Sequence, residues 1–584
     1  EFYREFCRMR AEPNRKTAGK IVLQGAALLG GAAVVSKIIG TLQKIPLQNL
    51  GGDEVFGLYS AVNALAIMWM TLASAGVPTA VSVLVAEREA SGDAAGARRV
   101  VRWALSLIVA SGFLAFAVMQ ACAPLFADLM GAPDAAPAIR ASAIALLVAP
   151  CAAVLRGSWQ GQMSMVRPAV SQVAEQTARV AFMLVMLLFA LSAGWHAPAV
   201  AAAVHGGLAA GAVAGLAVML WPDRRRKTAE KLIQAARKLQ EDRRDRKEAP
   251  RKVWWQEPGR VLVRRILAVA FPVAAASAAA PLIGLIDAFQ VPRLLQQAGE
   301  VSAMAEFGVY NRGIALLQLI LMAASGAAAA MVPAWTGDRI RGDAAGGDAS
   351  AGALAALRMA WWLGAAAAIG LAILAKPINV MLFADDTGSM AMMLLAPAMA
   401  FGAVQAVSSG LLQGRGDVRS PAVNLAVAAV FKMALNILLV PAWGIDGAAL
   451  GMSAAYGAAV LLNALSLRQR MPLPGVQLPQ AWRPAAALAV MAATVGASAL
   501  ALDALAAGLP GRAAALIVAL PAVAVGVIAL AAGLIAFGAI GPDWWRQLPG
   551  CAAGSGMDDA LTRLYTALRR RAPLSIHHGK DDPL

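Results

Sequence analysis

Apolar residues run along this chain in long unbroken stretches, and polar residues collect between them. The strict apolar–polar alternation that a lipid-facing barrel strand requires is missing, which excludes a β-barrel. A helix needs about 20 apolar residues to cross the hydrocarbon core. Fourteen segments reach that length, near 21–45, 55–86, 103–126, 138–160, 168–191, 197–220, 263–291, 306–333, 353–376, 390–413, 420–441, 447–467, 484–505 and 513–538. The pattern predicts an all-α polytopic membrane protein with 14 transmembrane helices. Composition agrees: 59% of the residues are hydrophobic and the mean hydropathy is +0.63, more apolar surface than a soluble domain can hide.

The net charge of +17 admits nucleic acid as a partner, but its distribution argues against one. With the N-terminus placed in the cytoplasm, about 41 of the 51 Lys and Arg fall on inner loops and tails. Only Arg140, Arg293, Lys376 and Arg512 fall outside. This asymmetry predicts N-in, C-in topology in the bacterial cell membrane. The four cysteines have no metal spacing, and Cys122 and Cys151 lie in apolar segments as small hydrophobes. No cleavable signal is expected, since the first apolar segment is full-length, and Met9 is an expected start beside Glu1.

The segments repeat. "FGLY" (Phe56–Tyr59) and "FGVY" (Phe307–Tyr310) lie 251 apart, and "QGQMSMVRPAV" (Gln160–Val170) and "QGRGDVRSPAV" (Gln413–Val423) lie 253 apart. The second copy gains four residues before its "VP". Six spans per copy give both copies the same orientation, as in parallel transporter repeats. The expected divisions are a tail (1–20), an N-lobe (21–220), a basic cytoplasmic linker (221–262), a C-lobe (263–468), an appended helix pair (483–538) and a cytoplasmic tail (539–584). The linker is expected to rest on anionic lipid headgroups. Gly207, Gly211 and Gly215 form a close-packing face.

Ionisable groups inside spans are costly and normally face a polar interior. Here they are Lys37, Lys44, Arg156, Glu175, Arg179, Asp287, Arg312 and Lys432. Arg156 is expected to snorkel inward, and Glu175 and Arg179, spaced i,i+4, to satisfy each other. Lys432 has no acidic neighbour in sequence. Lys37, Asp287 and Arg312 all fall in the outer half of the bilayer, so a shared cationic cavity with Asp287 as counter-ion is expected. Arg312 stands where the first copy has Ala61, so the repeat itself does not require a charge there.

The words "SKIIGTLQKIPLQNLGGDEVFGLY" (Ser36–Tyr59), "GVPTAVSVLVAE" (Gly76–Glu87), "LIDAFQVPRLLQQAG" (Leu285–Gly299) and "FGVYNRG" (Phe307–Gly313) carry a resemblance. The chain resembles flippases of the multidrug/oligosaccharidyl-lipid/polysaccharide exporter superfamily over about residues 20–540. It is most similar to the stage V sporulation protein B type of polysaccharide biosynthesis protein, and is related to the MurJ lipid II flippases. The resemblance implies two lobes that alternate access around a central cavity. It sets Lys37 and Arg312 on arginines that line the central cavity. MurJ has an Arg-Asp pair where this chain has Gln43 and Lys44, a departure that keeps a cationic cavity and puts lipid II in doubt as substrate. The candidate substrate-binding residues are Lys37, Gln43, Lys44, Asp287, Arg293, Asn311 and Arg312.

The expected function is a flippase for an undecaprenyl-pyrophosphate-linked saccharide, in which buried cations bind the pyrophosphate. The alternative is a drug/cation antiporter, disfavoured by two embedded carboxylates against six embedded bases. A membrane scaffold would not need Arg312. No phosphate-cradling P-loop and no nucleophile–base spacing support an enzyme. No cofactor is expected, with coupling to membrane potential, Na+ or H+, and the protein is expected to act as a monomer.

Overall fold

A computed structural model describes residues 15–222 (save 75), 258–341, 346–469 and 478–542, with a few more between 558 and 566. The linker expectation therefore falls almost wholly outside the described residues, as do most of both tails. All regular structure among the described residues is helical. The helices are α1 (Arg15–Leu42), α2 (Lys44–Ser74), α3 (Val77–Ala90), α4 (Ala94–Ala121), α5 (Ala123–Leu129), α6 (Ala136–Ala143), α7 (Ala149–Gly161), α8 (Val166–Ser192) and α9 (Ala197–Leu220). They continue with α10 (Gly259–Gln297), α11 (Ala303–Arg341), α12 (Gly346–Phe383), α13 (Ser389–Gly414), α14 (Arg419–Arg468), α15 (Leu478–Ala506) and α16 (Gly511–Ala536).

Among the described residues, 12 helical stretches are long and apolar enough to cross a membrane. Two of them, Leu28–Ala90 with 63 residues and Arg419–Arg468 with 50, exceed one crossing. At 1.5 Å per residue, 50 residues would span about 75 Å, well over twice the hydrocarbon thickness. Both contain glycines whose positive φ breaks the helical path: Gly52 (79°) and Gly76 (68°) in the first, Gly444 (55°) in the second. Each run thus joins segments that the sequence pattern separates.

The chain forms two compact units, residues 1–293 and 294–584. In unit 1, Leu262, Ile266 and Ala270 of α10 pack into a core with Val77, Ala80, Val81 and Leu84 of α3 and Ala97 and Val100 of α4. Gly76 makes this approach possible, because a Cβ there would sit 2.3 Å from the Ala270 carbonyl oxygen. The unit therefore includes most of α10, whereas the sequence repeat opens its second copy at 263. A second unit 1 core gathers Leu47, Phe56, Tyr59, Met183, Leu187, Val200 and Val204. The three-glycine face of α9 is packing: added Cβ atoms would meet the Arg179 oxygen at 2.8 Å, the Glu175 oxygen at 2.6 Å and the Arg156 Nη2 at 2.7 Å. In unit 2, Trp362 and Leu374 of α12 pack with Met491 and Val495 of α15 and Ala522, Leu530 and Leu534 of α16.

Candidate functional site

Each unit buries a polar cluster in a mostly apolar bundle. In unit 1 it forms where α1 meets α2. Gln43 Nε2 donates to the Tyr59 hydroxyl (3.0 Å), and Arg179 of α8 donates to that hydroxyl (3.0 Å) and to Asn63 Oδ1 (2.8 Å). The His205 ring of α9 stacks on Tyr59 with centroids 4.9 Å apart. His205 Nδ1–H donates to the Ala201 oxygen (2.8 Å), while its buried Nε2 and the Gln43 Oε1 have no partner. Lys44, also buried, lies within the electrostatic reach of Arg179.

Glu175 does not satisfy Arg179, contrary to the i,i+4 expectation. It pairs with Arg156 of α7, whose Nε also donates to Ser171 Oγ (2.9 Å). Arg156 is thereby tied inside the unit and does not reach inward to headgroups. The reason is a close neighbour on another helix: Gly215 of α9 leaves the space that the guanidinium fills. A tertiary partner outcompetes a helical i,i+4 pair worth only about 0.2–0.5 kcal/mol.

In unit 2 the cluster is built on Arg312, which is fully buried in α11. Its guanidinium grips Asp385 with both arms, Nη1 to Oδ1 at 2.7 Å and Nη2 to Oδ2 at 3.0 Å. Nη1 also points to Asn379 Oδ1 (3.4 Å) and the Thr387 oxygen (3.5 Å), and Cζ lies 5.4 Å from the Phe383 ring centroid. Asp385 belongs to the short connection between α12 and α13. Thr387 N–H donates to Asp385 Oδ1 (2.9 Å), and Asn379 Nδ2 donates to the Thr387 oxygen (2.8 Å) and Ser389 Oγ (3.0 Å). Two further cations hold the same connection. Lys376 pairs with Asp386 (3.0 Å), and Arg512 of α16 donates to the Met381 and Leu382 oxygens at 3.1 and 3.3 Å. Those oxygens lie in the last turn of α12, where the helix dipole favours a cation.

The connection is tight. Ala384 has φ 71°, a left-handed conformation that costs an L-residue about 1–2 kcal/mol. Gly388 (φ 75°) is required, since a Cβ there would come within 2.1 Å of Val309 Cγ1. Partial burial pushes the Asp385 carboxyl up, but the Arg312 hydrogen bonds, the Thr387 N–H and the Arg312 charge together outweigh it and hold the group below the usual carboxylate range.

The predicted residues divide as follows. Gln43 and Lys44 are buried in the unit 1 cluster, Lys37 is exposed on α1, Asp287 is buried in α10 and Arg293 is exposed near the end of α10. In unit 2, Arg312 is buried, and Asn311 donates to the Phe307 oxygen (2.8 Å). The carboxylate on Arg312 is Asp385, 73 residues away in sequence. The sequence reading missed Asp385, Asn379, Tyr59, Asn63 and His205. The one available signal was the paired acid "ADDTG" (Ala384–Gly388) in a connection otherwise poor in charge.

Residues 22–336 match the family model described as polysaccharide biosynthesis protein, and residues 342–518 match that of the lipid II flippase MurJ. Three Bacillus subtilis (strain 168) proteins are similar. The "uncharacterized membrane protein YabM" is 29% identical over 469 residues, covering 78% of this chain and 82% of the relative. The lipid II flippase MurJ is 23% identical over 470 residues, covering 77% and 82%. Stage V sporulation protein B is 30% identical over 176 residues, covering 29% and 33%. The fold is similar to that of a multidrug resistance MATE family transporter of the MOP superfamily, solved in its inward-facing conformation, with TM-score 0.57, 16% identity and coverage of 74% of this chain and 94% of that one. With half of its length matched by a single family model and its helices arranged as in MOP superfamily transporters, this multi-pass protein of the bacterial cell membrane belongs to the polysaccharide biosynthesis protein family.

Proposed function

We propose that the chain flips a lipid-linked saccharide, carried on undecaprenyl pyrophosphate, across the cytoplasmic membrane by alternating access. The observation that carries this reading is the match to a polysaccharide biosynthesis model over residues 22–336 followed by a flippase model over 342–518. Chemistry supports it: six bases and two carboxylates lie within the apolar segments, an excess suited to an anionic cargo. The pyrophosphate would be held by cations among Lys37, Lys44, Arg293 and Arg312, with Gln43 and Asn311 as neutral donors and Asp287 setting the local charge. An inside-negative potential favours outward movement of an anion by about 2.3 kcal/mol per charge per 100 mV.

The drug/cation antiporter alternative has the shared fold in its favour. Against it, Glu175 is already neutralised by Arg156, which leaves a cation little carboxylate to bind in unit 1. Expression of the chain in cells depleted of their lipid II flippase tests the proposal, with accumulated lipid-linked precursors extracted and identified. Restored growth and a fall in precursor support it. Failure to relieve any lipid-linked precursor, together with efflux of cationic dyes, overturns it in favour of the antiporter.

A further inference from the structure

Arg312 is buried, and its fork is already filled. Asp385 takes both arms of the guanidinium, and Asn379 and the Thr387 carbonyl lie at the edge of the same donor set. A bidentate carboxylate occupies a guanidinium in the same planar manner as two phosphate oxygens. An incoming anion therefore cannot reach Arg312 without taking the place of Asp385. The carboxylate is suited to leave, because its side chain is 45% exposed while that of Arg312 is 0% exposed. Once released it can be hydrated, whereas the arginine cannot be left bare. Asp385 also sits between two left-handed residues, Ala384 and Gly388, in a connection drawn together by Lys376 and Arg512 as well.

We infer that Asp385 is a resident anion that occupies Arg312 and is displaced by a phosphate or pyrophosphate group, so that ligand binding frees the 384–388 connection. The inference rests on the reading of Arg312 as a substrate-binding residue. It makes Asp385 a determinant of affinity, and it supplies a carboxylate that pairs with the buried charge in the resting state.

The test uses full-length protein in nanodiscs. The probes are inorganic pyrophosphate and undecaprenyl pyrophosphate, and phosphatidylglycerol nanodiscs without probe serve as the headgroup control. Asp385→Asn keeps an acceptor oxygen on Arg312 but removes the competing charge, and should bind both probes at least tenfold more tightly than wild type. Asp385→Glu should stay near wild type, and Arg312→Ala/Asp385→Asn should lose the gain. In otherwise wild-type protein lacking its four native cysteines, labelling of Thr387→Cys should quicken when pyrophosphate is added; this readout does not depend on stability of the Asp385 variants. Labelling that quickens only with phosphatidylglycerol would assign the displacing phosphate to a lipid headgroup and overturn the substrate role. Wild type that binds probe, with Asp385→Asn no tighter and Thr387→Cys unmoved, overturns the inference and leaves the flippase reading standing. No binding by any variant overturns both.

Discussion

At the scale of single residues, the pairing of Arg312 with Asp385 creates an asymmetry that mutation should expose. Arg312→Ala leaves a carboxylate that water can reach, at a cost of about 1–3 kcal/mol. Asp385→Ala removes the bidentate carboxylate from a fully buried guanidinium, and breaking such a pair costs about 3–5 kcal/mol at most, discounted here by the exposure of Asp385. Thermal denaturation in detergent should therefore rank Asp385→Ala below Arg312→Ala; the opposite order would mean that the guanidinium finds another partner. Acid should loosen the same contact. The folded-state pKa of Asp385 lies below its ordinary 3.8, so its stabilising contribution is complete above that pH and is lost as the pH falls through the lowered value. A stability profile between pH 5 and pH 2 should fall more steeply for wild type than for Asp385→Asn, and parallel profiles would remove the group from the acid transition. Neither feature was legible in sequence. Arg312 was conspicuous as a charge in an apolar run, but its partner lies in another helix connection, and one-dimensional spacing carries no information about it.

At the scale of elements, the repeat read from two short words fits the helix boundaries. Gly161 and Gly414 end α7 and α13, Val166 and Arg419 begin α8 and α14, and both pairs are 253 apart. The intervening turns even share a left-handed residue, Met163 (φ 58°) in the first and Gly416 (φ 87°) in the second. A left-handed L-residue costs about 1–2 kcal/mol, offset in part by the larger entropy that glycine loses on folding. Met163→Gly should thus be neutral or slightly stabilising, and Gly416→Met destabilising by about 1 kcal/mol, in a chemical denaturation series. Equal loss from both would show that side-chain contacts of Met163 matter more than its backbone. What the repeat did not reveal is how each copy satisfies the same polar seam. Unit 1 uses the charged set Arg156, Ser171 and Glu175; at the positions of Arg156 and Ser171, unit 2 has Ser409 and Asn424. There Asn463 joins the two, receiving a bond from Asn424 (2.9 Å) and donating to Ser409 (3.1 Å). Both solutions close the gap between three helices, so the fold constrains the location of the polar group and not its charge. The helix breaks were also partly hidden. Gly76 stops α2 in the first copy, whereas in the second, four residues longer before its "VP", α11 runs through.

For the whole molecule, hydropathy alone was enough for the helical class and most element locations, because lipid exposure demands long apolar runs. The count of crossings depends on how the two longest runs are divided, and the breaks at Gly52 and Gly444 fall between segments that the sequence pattern separates, whereas Gly76 falls inside one of them. Dividing each run once, at Gly52 and at Gly444, would turn the 12 apolar stretches into the 14 crossings expected from the sequence pattern, an even number that would put both termini on one side. The charge distribution predicts which side that is. Single cysteines in a background lacking the four native ones test this directly. One probe goes in the linker at Lys238, one at Arg415 between α13 and α14, and one at Thr387 between α12 and α13. An impermeant thiol reagent applied to intact cells should label Thr387→Cys and spare Lys238→Cys and Arg415→Cys until the membrane is opened. Arg415 and Thr387 flank a single helix, α13, so their labelling must differ whatever the number of crossings elsewhere. Labelling of Lys238→Cys from outside would invert the orientation. It would also place the Arg312–Asp385 pair at the cytoplasmic mouth, where the membrane potential would oppose, not assist, release of an anion to the far side.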